Sequence, residues 1–415
     1  MTRLSSLLTL ILLTAAAHAA VLPGFRVETL ATTGGFVSSV TTDSNGTIYF
    51  TTTNGWIHRV DGNVATKVAS LPTRSGGNGG LLVMAMLDDH TAAVHYTTWN
   101  NESGDLARVY DDVISRVDLR TGAEVVLHTF VCDIQNRNNG ASSEHHGGNI
   151  TIASDGSIFA GIGDYGAYII AQKPEWNAGK IWRIDRQGNA TQWASGVRNP
   201  YDLAWDPDNT RVVVADTGAE GGDELHVVAQ GDNCGWPYTY GNQPPHDGAA
   251  PPAYVFDKTV APTGIQRLGN NNTMLRNGYL VGAFVTRALY YVPLTFAETI
   301  PVIENFGEFV IDVTQTSTGE IIFATSNGGT SSIHRLHVPS RGDCNGDGFA
   351  DSRDVSPLEQ EIEDGGPHER VRAQEGAYAG SWGCDANVDG IIDSSDVEAL
   401  RKLIRPTRRR SVGAR

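Results

Sequence analysis

GNITIASDGSIFAGIG (148–163) followed by KIWRIDRQG (180–188) sets the fold of this 415-residue chain. In the first segment apolar residues alternate with small or polar ones on either side of Asp155 and Gly156, a dipeptide suited to the tight turn of a hairpin. Alternation of period two, cut by such a turn, describes short antiparallel strands, and the KIWRID run supplies the next one. The unit recurs. SSVTTDSNGTIYFTT with WIHRVDG lies between 38 and 62, and DLAWDPDNTRVVVAD with ELHVV runs from Asp202 to Val228. Fainter copies start at Gly80 (GLLVMAML, closing on VISRVDL), at Pro262 (PTGIQRLGNNN, closing on RALYYVPL) and at Glu308 (EFVIDVTQTSTGEIIFATS, closing on SIHRLHV). Repeats of about 40–50 residues with several strands each predict an all-β, six-bladed β-propeller. Such folds carry function on loops gathered at one end of the central channel. The long insertions at 97–112, 129–147, 165–178 and 232–258 are expected there.

The first residues read as a secretory signal over 1–19: Arg3 is the positive end, Leu7 to Leu13 the apolar run, and Ala17, His18, Ala19 a small-x-small cleavage site. Export into an extracellular, secreted state is the expectation. No later stretch approaches the roughly 18 apolar residues that a spanning helix needs, so no transmembrane segment is predicted. A formal net charge of −16 argues against a nucleic-acid partner, which requires a basic face. Four cysteines allow three connectivities. Local pairing is expected, Cys344 with Cys384 and Cys132 with Cys234 between neighbouring blades, as staples of an exported protein.

The propeller is expected over 22–338. After Val338 the alternation gives way to acidic loops and helical spacing, which marks a small second domain over 343–404, behind the short linker Pro339 to Gly342. Residues 405–415 read as a disordered basic tail. DCNGDGFADSRD (343–354) and DANVDGIIDSSD (385–396) share oxygen-bearing residues at relative positions 1, 3, 5, 9 and 12 with glycine at 6. That spacing wraps a loop around calcium. The predicted ligands are Asp343, Asn345, Asp347, Asp351 and Asp354, then Asp385, Asn387, Asp389, Asp393 and Asp396. Helices are expected over Val355 to Glu363 and Val397 to Ile404. The two loop-helix halves resemble a type I dockerin module, which implies a cohesin-type scaffold protein as partner.

Between His145 and Pro237 polar and glycine positions accumulate that a core does not need: HHGGN (145–149), IGDYG (162–166), GVRNP (196–200), DTGAEGGDE (216–224) and CGWP (234–237). They string together a base, a carboxylate, a fixed cation and a carbonyl-rich loop, the parts of an active site. Each also has a plainer use. Asp164 can cap a turn, Arg198 can pair with Asp202 or Asp216, the glycines can serve tight turns, and His146 can be a packing residue.

In this order the motifs resemble those of the glucose/sorbosone dehydrogenase family, over roughly residues 22–338. The resemblance implies a soluble sugar dehydrogenase that oxidises an aldose or related sugar with pyrroloquinoline quinone and calcium. It places His145 as catalytic base, a role suited to an imidazole with its ordinary pKa near 6.5. Asp164 falls on the carboxylate that orients it. Arg198 and Asn199 fall at the quinone carbonyls, where a cation stabilises developing negative charge. The carbonyls of Gly218 and Ala219 fall on ligands of the cofactor's calcium, with Asp223 nearby, and Asn78 replaces a longer amide. The chain departs from the family at Val285, Phe309 and Ile311, where basic residues usually hold the three quinone carboxylates; Arg267 and Arg287 lie close by in sequence. Two readings follow: an exported, calcium-dependent sugar oxidoreductase, or a non-catalytic extracellular propeller that binds carbohydrate, polysaccharide or protein. A lactonase or hydrolase with calcium-activated water is the third, and it calls for more inner-strand carboxylates than the sequence offers.

Overall fold

The computed structural model describes residues 20–22, 24–99, 110–132, 144–270, 274–365 and 382–405. The expected signal segment, most of the basic tail, and the insertion stretches 100–109 and 133–143 lie outside the described residues. Six antiparallel sheets form six blades. Their innermost strands are Val37–Thr42, Leu81–Met86, Ile150–Ile152, Pro200–Asp206, Pro262–Arg267 and Phe309–Gln315. Each touches the next, and the last touches the first, so they line a closed central channel. No helix among the described residues is long and apolar enough to cross a membrane.

The sequence pattern produces this ring through burial. Strands inside a blade are covered on both faces and mostly apolar: Ile321–Ser326 and Gly278–Ala283 are buried at every position, with Thr325 and Ser326 among them. The outer strand Arg26–Gly34 alternates between solvent and core. Each fully buried Ile, Val or Leu contributes about 1.5–3 kcal/mol. A one-residue slip would turn all of them to the wrong face. The ring is closed by that outer strand. It pairs with Thr330–His337 from Arg26 opposite His337 to Gly34 opposite Thr330, so both ends of the propeller sequence build blade six. Ala20–Val21 likewise extends blade five along Ile300–Glu304.

The innermost strands hold one another by a repeated clasp. Five of the six carry a register shift near their start, between Val37 and Ser39, Leu81 and Val83, Pro200 and Asp202, Pro262 and Ile265, and Val310 and Asp312. A bulge re-aims the side chain beside it. Ser39 Oγ accepts from Met84 N at 3.1 Å, Asp202 Oδ2 from Ile265 N at 2.5 Å, and Asp312 Oδ2 from Val40 N at 2.7 Å. In each case the acceptor reaches the backbone of the following blade. Burial and mutual repulsion raise Asp202 well above the usual carboxylate range. Burial pushes Asp312 up to about 7.

The expected Cys132–Cys234 bridge does not form. Both thiols are buried, but in different cores. Cys132 packs with Phe130 and Tyr165, and Cys234 with Val197 and Val228. Cys344 and Cys384 are joined by a disulfide.

Beyond the propeller, the disulfide connects two loop-helix halves. Helix α1 spans Val355–Gly365 and α2 spans Ser394–Leu403. A capping box at Asp393, in which Asp396 bonds back to the Asp393 N–H, starts α2 three residues earlier than its apolar spacing suggests. The segment packs on blade five and the N-terminal residues. Trp382 sits edge-on to Phe25 at 5.7 Å and to Tyr291 at 5.2 Å, and Arg276 Nη2 donates to Val388 O at 2.8 Å.

Candidate active site at the channel mouth

His145 and Asp164 come together at the start of blade three. HHGGN enters the innermost strand with His145 at φ +54°. Its main chain lies so close to Gly163 that a Cβ there would stand 2.0 Å from the His145 carbonyl oxygen. His145 Nδ1 and Asp164 Oδ1 are 2.6 Å apart. Asp164 is fully buried, and its carboxylate also accepts from Gly166 N at 2.8 Å and from Trp236 Nε1 at 2.8 Å. Three donors fix its orientation. The acidic acceptor selects the tautomer in which Nδ1 carries hydrogen, which leaves His145 Nε2 as the proton-accepting atom.

Arg198 joins the same group. Its guanidinium stacks 5.6 Å from the Trp236 ring, and Nη1 donates to Thr217 O at 2.8 Å. Its carbonyl accepts from Asp164 N at 2.8 Å. Nε is buried without a hydrogen-bond partner among the described residues. The plainer use of Arg198, a side-chain pairing with Asp202 or Asp216, is not seen; instead the Arg198 and Asn199 backbone N–H groups donate to the two Asp216 oxygens at 2.9 and 2.7 Å. Asn199 Oδ1 accepts from Gly147 N at 3.1 Å and so ties GVRNP to HHGGN.

A cavity of about 550 Å³ opens at this end, where the innermost strands begin. Its lining includes Asn78, Asn149 and Asn199, the hydroxyl residues Ser38, Thr53, Thr217, Thr263 and Tyr201, and the aromatic residues Phe36 and Phe284. None of its lining residues is charged. The opposite end of the channel is a separate cavity of about 490 Å³, and Arg267 lies there, bonded to Asp208 at 2.8 Å. Arg287 is exposed, 4.9 Å from the Phe309 ring, which itself stacks on Phe284 at 4.1 Å. Ile311 is fully buried and Val285 half-exposed.

The carbonyl-rich turn is shaped by Asp223. One of its oxygens accepts from Gly218 N at 3.0 Å, the other from Val260 N and Ala261 N at 2.7 Å each. Asp223 therefore organises the loop. Ala219 O accepts from Gly222 N at 2.8 Å. Gly218 and Ala219 remain half-buried at the turn, available as carbonyl ligands.

Residue 38 to residue 335 of the chain matches the glucose/sorbosone dehydrogenase family. The chain belongs to that family. Among curated relatives, the aldose sugar dehydrogenase YliI of Escherichia coli is 25% identical over 184 residues, 39% of this chain and 47% of the relative. Quinoprotein glucose dehydrogenase B of Acinetobacter calcoaceticus is 26% identical over 169 residues, 33% of this chain and 34% of the relative. The chain thus matches about half or less of those relatives' lengths. The PQQ-bound aldose sugar dehydrogenase of Streptomyces coelicolor superposes with a TM-score of 0.62 at 21% identity, over 77% of this chain and all of that one. The apo soluble aldose sugar dehydrogenase of Escherichia coli gives 0.66 at 16% identity, over 76% and 100%. Both share the propeller fold. Glucose/sorbosone dehydrogenase relatives thus include quinoproteins, but the lining here does not fit the quinone: three carboxylates would face a cavity without a cation, and buried unpaired charge costs several kcal/mol per group.

Several neighbours of the site had no role assigned by the sequence. Trp236 stood in CGWP and joins Arg198 to Asp164. Behind His145, His146 Nδ1 lies 3.1 Å from Asp112 Oδ2, the Tyr165 hydroxyl donates to the same oxygen at 2.7 Å, and His95 Nε2 lies 2.9 Å from Oδ1. His95 Nδ1 meets Gly148 O at 3.0 Å. Both His95 nitrogens thus have partners. Although burial opposes ionisation, His146 and His95 hold Asp112 well below the usual carboxylate range.

The C-terminal loops match bond for bond. Asp354 accepts from Asn345 N at 3.0 Å and Asp351 N at 2.8 Å; Asp396 accepts from Asn387 N and Asp393 N, both at 2.9 Å. Asn345 and Asn387 accept from Asp347 N and Asp389 N, and Asp347 and Asp389 from Phe349 N and Ile391 N. Asp343 and Asp385 each accept at 2.9 Å from the glycine at position 6. Asp343 Oδ1 is buried with no partner among the described residues. Burial, followed by neighbouring carboxylates, raises Asp343, Asp385 and Asp396.

Proposed function

We propose that the channel mouth receives a neutral sugar and that His145 takes the proton from one of its hydroxyls while the hydride on that carbon passes to a soluble two-electron acceptor, which together make an alcohol oxidation. The observation that carries this is the 2.6 Å His145–Asp164 pair; it does not itself line the uncharged cavity, but His145 stands two residues before Gly147, which does. Asp164, fixed by Gly166 and Trp236, orients the imidazole and stabilises its protonated form. Asn78, Asn149 and Asn199 supply donors and acceptors for sugar hydroxyls, and the Phe36 and Phe284 rings cover the apolar C–H face. Arg198, stacked on the Trp236 ring that donates to Asp164, is a cation suited to stabilise an alkoxide.

The uncharged lining favours a second reading, carbohydrate binding without turnover. Calorimetry with a panel of neutral saccharides, paired with reduction of a soluble two-electron acceptor dye with and without calcium, separates them. Binding with turnover that disappears in His145→Ala supports the oxidoreductase. Binding without turnover supports the second reading, and neither binding nor turnover removes both.

The two C-terminal loops are proposed as calcium sites, on the strength of their oxygen spacing and the unpartnered Asp343 oxygen. Their likeness to dockerin halves makes a cohesin-type protein the proposed partner. Export is proposed from residues 1–19 and agrees with a disulfide, which persists in oxidising compartments.

A further inference from the structure

Blade four holds a second constellation, set behind the mouth. Asp216 ends the strand Arg211–Asp216 and faces Glu224 directly across the sheet. His226 stands two residues further along Glu224–Val228, so all three side chains leave the same face. Each is more than nine-tenths buried. One ligand atom from each lies within 4.8 Å of the other two, the one such group of His, Cys, Asp or Glu among the described residues. The Cys234 side chain, also buried, lies against the His226 imidazole.

We propose that Asp216, Glu224 and His226 form a binding site for a single divalent ion of the zinc type, with the Cys234 thiol against the imidazole but outside the three-ligand group. The donor set decides the class of ion. Calcium takes six to eight oxygens and magnesium keeps a shell of water; two carboxylates and an imidazole in a dry site suit a borderline-soft tetrahedral ion with its fourth position open. The present spacing is close to what is needed. His226 Nε2 and Glu224 Oε2 are 2.6 Å apart and share a proton. Two ligands on a tetrahedral ion with bonds of about 2.0–2.1 Å stand roughly 3.4 Å apart, so the ion replaces that proton and parts the pair by less than an ångström.

The site has a structural consequence for the mouth. Asp216 is the residue whose oxygens hold the Arg198 and Asn199 N–H groups, so an ion on Asp216 braces the GVRNP loop from behind. The proposal does not depend on the sugar reading.

The test uses the full-length protein, stripped with a chelator and dialysed against zinc with calcium present to fill the C-terminal loops. One tightly held zinc per chain is expected, with release of the His226–Glu224 proton into weak buffer. Cobalt(II) in place of zinc should give visible absorption of a tetrahedral site. His226→Asn should weaken zinc binding about 100-fold and abolish the cobalt spectrum. If that variant does not fold, the cobalt titration of the parent still decides. Zinc well below one per chain, no cobalt absorption from folded parent, or equal binding by parent and His226→Asn overturns the proposal.

Discussion

Replacing Asp112 by Asn tests whether the buried network behind HHGGN supports the mouth. The carboxylate is fully buried and meets His95 Nε2 at 2.9 Å, Tyr165 at 2.7 Å and His146 Nδ1 at 3.1 Å. Asparagine keeps the shape but replaces one acceptor oxygen with a donor, so at least one buried donor loses its partner and the others lose a charged one. Hydrogen bonds to a charged group contribute about 1.5–3 kcal/mol each, and a buried unsatisfied donor costs about 1–3 kcal/mol. A loss of about 3–6 kcal/mol follows, a large share of the 5–15 kcal/mol typical of a domain. At roughly 2 °C per kcal/mol for a domain of this size, Tm should fall by on the order of 10 °C in a calorimetric scan at pH 7. The sign of the pH dependence is also fixed. Asp112 is lowered in the folded state, so its contribution is present above the usual carboxylate range and fades as pH falls through it. The gap between parent and Asp112→Asn should therefore narrow in acid. A variant within about 2 °C of the parent at pH 7, or a gap that widens in acid, refutes the reasoning.

The channel carboxylates make the opposite prediction. Asp312 is raised in the folded state to about 7, so its contribution is complete below the usual carboxylate range and is lost as pH rises through about 7; the fall in parent Tm over that window should flatten in Asp312→Asn. Gly163→Ala puts a methyl group onto the His145 carbonyl and should cut saccharide binding or turnover more than tenfold while circular dichroism keeps the β signature; unchanged function would show that the dyad tolerates the shift. Trp382→Ala removes the edge-on contacts to Phe25 and Tyr291 at a cost of about 3–5 kcal/mol, so limited proteolysis should cut between propeller and C-terminal segment in the variant and not in the parent. Calcium titration of the full chain should give two sites, reduced to one by Asp343→Ala; two sites in the variant would count against Asp343 as a ligand.

The blades were legible because each is a local repeat, and alternation of period two with Asn-Gly and Asp-Gly turns marks the clearest copies. The His145–Asp164 pair was legible from two short motifs. Their neighbours were not, since alternation tells whether a side chain points inward but not whom it meets. His95 and Asp112 come from blade two and His146 and Tyr165 from blade three, and only the stacking of those blades joins them. The inner-strand bulges break the period where Asp202 and Asp312 turn to the next blade. Elimination misled for the cysteines: an even count suggested a second bridge, while Cys132 and Cys234 are core residues of separate interfaces.

The seal of blade six carries a kinetic consequence. Its outer strand comes from residues 26–34 and its three others from 309–337, so the circle shuts only by closing a loop of nearly 300 residues. Loop entropy grows only with the logarithm of length, yet such a distant pairing delays folding. Blades one to five can assemble as an open arc while the chain emerges, but the arc exposes two unpaired flanks until the last strand arrives. Opening of the finished ring should begin at this seam, where the first strand peels away.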